Sequence, residues 1–168
     1  VWRDGRRRFK GVAVRDTYRD LYRTTLATWT RVVDRGWGRF SGSDDRPAKH
    51  ELIWPLADGT VVEMEMNFIA IGEQGVEAAM RGFEFSWFFA NEADLMSPDI
   101  LQQARSRIGR YPPRNQLADP NVDVPGWIVL DMNWPDGKKE RLPISRWRAL
   151  MSDADRKTGR AAFEGGNK

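Results

Sequence analysis

The sequence predicts an α/β protein with a mainly parallel sheet covered by helices. Apolar runs of strand length, at Gly11–Arg15, Phe83–Ala90 and Trp127–Asp131, alternate with segments patterned as helices. Those runs are apolar at consecutive positions, as strands buried on both faces must be. A turn dipeptide in Ala57-Asp58-Gly59, set between two further strand-like segments, adds an inserted antiparallel hairpin.

In chain order, Gly11–Arg15 reads as a strand and Asp16 or Thr17 as the cap of a helix. Thr17 with Asp20 has the capping-box form. Leu21, Tyr22, Thr25, Leu26, Trp29, Val32 and Val33 make a helical stripe, and Arg19, Arg23 and Arg31 lie off it on a solvated face. Gly36–Pro47, rich in Gly, Ser and Asp, reads as loop. His50–Leu56 and Thr60–Ile71 are the arms of the hairpin. In the second arm Val62, Met64, Met66, Phe68 and Ala70 share one face and Glu63, Glu65 and Asn67 the other, so the methionines belong to a core. His50, the only histidine, reads as an ordinary strand-edge residue.

Glu73–Arg81 is a short helix stopped by Gly82. After the central run, Pro98 opens a helix with Ile100, Leu101, Ala104 and Ile108 inward and Arg105 and Arg107 outward. Leu117–Pro125 is loop. Beyond Asp136 the pattern thins to a charged tail in which Pro143–Arg148 can form a short helix and Gly165-Gly166-Asn167 reads as a frayed end.

Composition narrows the classes. A chain of 168 residues is large enough to bury roughly 70% of its unfolded surface in one domain. The absence of cysteine rules out disulfides and thiolate metal sites, and no run is long and apolar enough to span a bilayer. No signal peptide is visible. The chain opens at Val1 in a basic cluster, Arg3, Arg6, Arg7, Arg8 and Lys10, with no cap before it, and so reads as a piece of something longer. A net charge of +3 permits a nucleic-acid partner without requiring one.

The chemistry concentrates where Phe83–Ala90 ends in Asn91-Glu92-Ala93-Asp94. In α/β sheets ligands bind at the carboxyl ends of the strands, so a buried strand here delivers a carboxylate to a site. Glu92 is the best-placed general base for polarising a water. Asp131 or Asn133, at the end of a second strand, could sense a γ-phosphate or orient that water. Phosphoryl transfer asks little more of a protein than positioning and charge stabilisation, with an arginine to neutralise the moving phosphoryl. Composition does not choose among the many arginines.

These residues also carry a resemblance. Val14-Arg15-Asp16-Thr17-Tyr18-Arg19-Asp20-Leu21 with Thr24, Thr25 and Trp29 is similar to the strand and helix after the P-loop in large terminase subunits of tailed double-stranded DNA bacteriophages. Arg81-Gly82, Trp87–Asp94, Ser106–Pro112 and Asp131–Pro135 continue the resemblance in order, over about residues 9 to 135. It implies a P-loop NTPase-like fold of the additional-strand type: residues 1–135 would be part of an ATPase domain and 136–168 a tail toward a missing region, with a nuclease domain downstream. It implies ATP and Mg²⁺ as cofactors, with the metal held alongside nucleotide and not by an all-protein site. Glu92 would be the catalytic carboxylate and Arg81 a finger acting on a neighbouring subunit. Asn91, Asp131 and Asn133 would lie near nucleotide and metal, and Arg15, Arg107 and Arg110 could contact nucleotide or DNA. Asn91 stands where most such ATPases carry the Asp that supports Mg²⁺. The implied partners are double-stranded DNA, the portal protein, the small terminase subunit and further copies in a ring, in the host cytoplasm and with no membrane.

No Gly-x-x-x-x-Gly-Lys-Ser/Thr occurs in these residues, so the chain alone is not expected to turn over ATP. Asn91-Glu92-Ala93-Asp94 also resembles the Asp-Glu-Ala-Asp box of RNA helicases, but Arg107 and Arg110 come too soon after it for the helicase order. A non-enzymatic nucleic-acid-binding module is the other alternative, drawn from Arg6–Arg8 and the arginines after Ser97.

Overall fold

A computed structural model of the chain describes residues 2–43, 46–72, 75–124 and 126–132. Asn133, the tail and the expected helix at 143–148 lie outside them. The described residues form a six-stranded mixed sheet in the order β2-β3-β4-β1-β5-β6. These strands are β1 (Arg6–Arg15), β2 (Arg39–Ser41), β3 (Ala48–Pro55), β4 (Val61–Ala70), β5 (Trp87–Ala90) and β6 (Trp127–Leu130). β1 pairs in parallel with β4 and β5, and β5 with β6, while β3 runs antiparallel to β4 and β2. The expected hairpin is therefore present, and its second arm is an interior strand of the parallel sheet.

Helices cover both faces. On one, α3 (Gly75–Met80) and α4 (Asp99–Arg107) bring Val76, Met80, Ile100, Leu101 and Ala104 onto Val12, Val14, Ile69 and Phe88. On the other, Leu21 and Leu26 pack with Ala13, Met66 and Phe68, and Trp29 sits 5.5 Å from Phe68. The methionine face is core, as expected. Each fully buried Phe or Leu contributes about 1.5–3 kcal/mol relative to exposure, so these two layers dominate stability.

The segment after β1 is helical from Tyr18 to Val32: α1 (Tyr18–Asp20), a π-helical stretch at Leu21–Leu26, then α2 (Ala27–Val32). Thr17 caps it as expected, its hydroxyl accepting the Asp20 N–H at 3.2 Å and donating to the Asp20 carboxylate at 2.8 Å. The π turn adds a residue to the helical repeat and shifts the phase of the next turns. Val32, on the predicted apolar stripe, consequently ends 72% exposed.

Several elements depart from the expected bounds. β1 begins at Arg6 and not Gly11: Arg6, Arg7 and Arg8 ladder with Val61, Val62 and Glu63 of β4, and their charges are met by Glu63, Asp58 and Asp4. Arg8 meets Glu63, its partner across the ladder, at 2.6 Å and Asp4 at 2.6 Å, and its guanidinium lies 4.2 Å from the centre of the Trp2 ring. Arg6 also pairs with Glu63, and Arg7 with Asp58. Such half-exposed pairs are worth about 0–1 kcal/mol each, so they set register more than stability. β5 is shorter than the aromatic run: Phe85 makes only an isolated bridge to Ile108 before the ladder starts at Trp87. β2 forms within the predicted loop. Gly38, at φ +115°, makes that possible, since a Cβ there would lie 2.1 Å from the Glu51 carbonyl oxygen.

β2 also overturns the reading of His50. With β2 outside it, β3 is interior and His50 is fully buried, its Nδ1 accepting a hydrogen bond from Trp29 Nε1 at 3.0 Å. Burial pushes its pKa below the ordinary 6.5. The unfolded chain then binds the extra proton first, so stability should hold above about pH 6.5 and fall as pH drops below it toward the folded-state pKa. Thermal unfolding at pH 7.5 and 5.5 should show this fall in the wild type, and His50→Phe should lack it.

Candidate functional site

Parallel strands place their carboxyl ends side by side, and here three of them end in one polar row. Val14, Ala90 and Leu130 are in register across β1, β5 and β6, so the next residue of each is Arg15, Asn91 and Asp131. The ladder continues for that one step, with the Asn91 N–H on the Val14 carbonyl at 3.0 Å and the Asp131 N–H on the Ala90 carbonyl at 2.9 Å. Val14, Ala90 and Leu130 belong to the α3/α4 core layer. Alternation along the strands therefore turns Arg15, Asn91 and Asp131 to the other face, under the π-helical stretch.

The chain then changes partner abruptly. Asn91 bonds back to β1, whereas the Ala93 N–H bonds to the Asp131 carbonyl at 2.8 Å. Glu92, caught between, adopts φ 53°, ψ 53°, the one left-handed non-glycine residue among those described. That conformation costs a residue with a side chain roughly 1–2 kcal/mol. It is held by the two flanking backbone bonds, and it lifts the Glu92 side chain to the strand-end surface, 30% exposed.

Arg15 binds the cluster together. Its side chain is only 7% exposed, Nη1 donates to Asn91 Oδ1 at 2.7 Å, and Nη2 meets Glu92 Oε2 at 2.6 Å. Its Nε is buried with no hydrogen-bond partner among the described residues. Thr25 Oγ1 donates to the same Asn91 oxygen at 2.9 Å, and Asn91 Nδ2 donates to Asp131 Oδ2 at 2.6 Å. The network thus runs from a buried cation, through a neutral amide, to an exposed carboxylate.

The other expected site residues lie elsewhere. Arg81 comes just after α3, is exposed, and its side chain makes no hydrogen bond or ion pair among the described residues. α4 leads away from the cluster, so that Ile108 reaches Phe85 at the amino end of β5. Arg107, with Nη2 3.3 Å from Gln103 Oε1, and Arg110 therefore sit at the opposite end of the sheet from Glu92. Thr25 was not anticipated as a site residue. Its signal was a hydroxyl interrupting an otherwise apolar helical stripe.

No group of three or more His, Asp or Glu side chains that could hold a metal exists among the described residues. Mg²⁺ bound with a nucleotide needs only one or two carboxylates beside the phosphates, and the strand-end donor set fits that demand. No helix among the described residues is long and apolar enough to cross a membrane.

No family model matches the sequence, and no curated protein matches it. Among solved structures, the large terminase from a thermophilic bacteriophage is similar to this chain in two crystal forms. One gives a TM-score of 0.47 at 14% identity, covering 74% of this chain and 26% of the terminase. The other, a complex of that terminase with ADP, gives 0.47 at 13% identity with the same coverage. The chain thus spans about a quarter of the length of the terminase it resembles.

Removing the Arg15 guanidinium should leave Glu92 and Asn91 without their shared donor. Because Glu92 can still hydrate, Arg15→Met should lower the unfolding free energy by about 1.5–3 kcal/mol, the range for hydrogen bonds to charged groups. Arg81→Ala, an exposed change, should stay within about 0.5 kcal/mol. Urea denaturation of the two variants checks the contrast.

Proposed function

We propose that this chain is part of the ATPase domain of a DNA-packaging motor, the segment that brings the water-activating carboxylate to bound nucleotide. The observation that carries the reading is the polar row at three adjacent parallel strand ends, with Glu92 raised beside it on a left-handed turn. Together with the collinear terminase-like motifs, it supports a P-loop NTPase-like fold of the additional-strand type. The open side of β6 supports it too: among the described residues β6 has only β5 as a neighbour, and Trp127 and Val129 are 63% and 43% exposed. A further parallel strand pairing there would end beside Asp131, and a phosphate-binding loop at the end of that strand would face Asn91 and Glu92.

In this reading Glu92 is the general base. Arg15 grips Oε2 and leaves Oε1 to accept the proton of a water aimed at the γ-phosphate. Thr25 and Arg15 hold the Asn91 amide, which fixes the orientation of Asp131. Mg²⁺, carried in with ATP, would neutralise charge on the phosphate oxygens. Arg81, exposed and unengaged among the described residues, is suited to reach a neighbouring copy in a ring. Double-stranded DNA, the portal protein and the small terminase subunit are the partners such a motor would take, in the host cytoplasm. Residues 1–135 would belong to the ATPase domain and 136–168 would lead onward from it, with Asn133 one of the residues near nucleotide.

The reading as a non-enzymatic nucleic-acid-binding module draws little support from the basic cluster, because Arg6, Arg7 and Arg8 are engaged with Asp4, Asp58 and Glu63. Steeply salt-dependent DNA binding by the 168 residues alone, indifferent to nucleotide, would favour it.

The test is hydrolysis by a longer polypeptide that includes a phosphate-binding loop. Glu92→Gln should lower DNA-stimulated ATP turnover roughly 10²- to 10⁴-fold, the usual contribution of a general base. Unchanged turnover would refute the assignment. Mixing Arg81→Ala subunits with subunits lacking a working phosphate loop should restore activity if Arg81 acts across a boundary, and should restore none if it does not.

A further inference from the structure

We infer that Asp131, and not the residue that ends β5, supplies the carboxylate for the nucleotide's divalent cation, with Asn91 as its positioning partner. The inference rests on the nucleotide-site reading above and concerns which of its side chains is free to meet a metal.

Asn91 has no acceptor left for a metal. Its carbonyl oxygen has two lone pairs and already accepts from Arg15 Nη1 and Thr25 Oγ1, at 2.7 and 2.9 Å. Turning the amide over would set its NH₂ against the guanidinium, which can only donate, and its oxygen against the Asp131 carboxylate, which can only accept. The amide orientation is therefore dictated by its neighbours. Glu92 has its Oε2 ion-paired with Arg15 at 2.6 Å, so a dication drawn to that carboxylate would sit close to a buried positive charge.

Asp131 differs on both counts. It is exposed, and among the described residues it has no cationic partner. Its Oδ2 accepts the Asn91 N–H at 2.6 Å, which leaves the other oxygen unengaged among those residues. An N–H donated to a carboxylate is how outer-shell groups aim metal ligands. Mg²⁺ suits such a site, because it keeps several waters and takes one or two carboxylates alongside phosphate oxygens. The same geometry accounts for an amide at position 91: an aspartate there would place two carboxylates at hydrogen-bond distance with no proton between them.

The experiment uses the longer polypeptide with its phosphate loop, measuring ADP binding by calorimetry in EDTA and in Mn²⁺, and the electron paramagnetic resonance spectrum of Mn²⁺ in the complex. In Asp131→Asn, ADP binding in EDTA should survive while its tightening by Mn²⁺ and the bound-metal spectrum are lost. Asn91→Ala should weaken Mn²⁺ binding about 10- to 100-fold, the usual cost of removing an outer-shell partner. The exchange variant Asn91→Asp/Asp131→Asn should not recover the metal coupling that Asp131→Asn lacks, because a carboxylate at position 91 would be held by Arg15 and Thr25; recovery there would count against the inference. Undiminished Mn²⁺ coupling in Asp131→Asn would overturn this inference and leave the nucleotide site standing. Failure of the wild type to bind ADP under any condition would overturn the site reading, and this inference with it.

Discussion

A buried guanidinium at the end of β1 is the contact on which the strand-end arrangement depends. Burying a charge is costly unless it is paired and hydrogen-bonded, and Arg15 is both, to Glu92 and to Asn91. Its two partners are consecutive residues of another strand's exit. They can meet one guanidinium only if the chain turns sharply between them, and the left-handed backbone at Glu92 is that turn. The strain is local, and the backbone bonds to Val14 and Asp131 on either side hold it in place.

The π-helical stretch belongs to the same arrangement. A regular α-helix from Thr17 onward would keep one apolar face over the sheet. Instead the helix carries an extra residue between Leu21 and Leu26, and Thr25 meets Asn91 while Leu21 and Leu26 stay fully buried. The cost appears downstream, where Val32 is exposed. π turns often mark functional positions in helices, and here the turn delivers a hydroxyl to a polar row without opening the core beneath it.

The sheet has two unlike ends. At the amino end of β1, arginines and acids pair across β1 and β4 in half-exposed contacts that align strands and leave little uncompensated charge. At the carboxyl end a single cation organises two acids and an amide, and Asp131 projects outward. Only the second end combines a buried charge, backbone strain and an exposed carboxylate, and that asymmetry is why the chemistry is assigned there. It also separates Arg107 and Arg110 from the site, since α4 leads away from it.

Much of this was legible in the residues themselves. Consecutive apolar positions identified the parallel strands at 11–15, 87–90 and 127–130, because the period is a local property, but burial held for the first two and not for β6, whose Trp127 and Val129 are exposed among the described residues. The Asp58-Gly59 turn identified the hairpin, Thr17 the helix start, and the abrupt polar ending at Asn91-Glu92 the site. The features that stayed hidden were those made by residues distant along the chain. Arg6–Arg8 extend β1 by pairing with Val61–Glu63 of β4, with Glu63 and Asp58 meeting their charges, β2 exists only because Gly38 lets its chain approach β3, and His50 becomes core only once β2 covers it. Likewise the sequence by itself determined that carboxylates and an amide leave the sheet at two strand ends. Only the tertiary structure decided that Arg15 takes Glu92, that Asn91 turns its NH₂ to Asp131, and that Asp131 is left open, because which donor meets which acceptor is set by strand register and not by order along the chain.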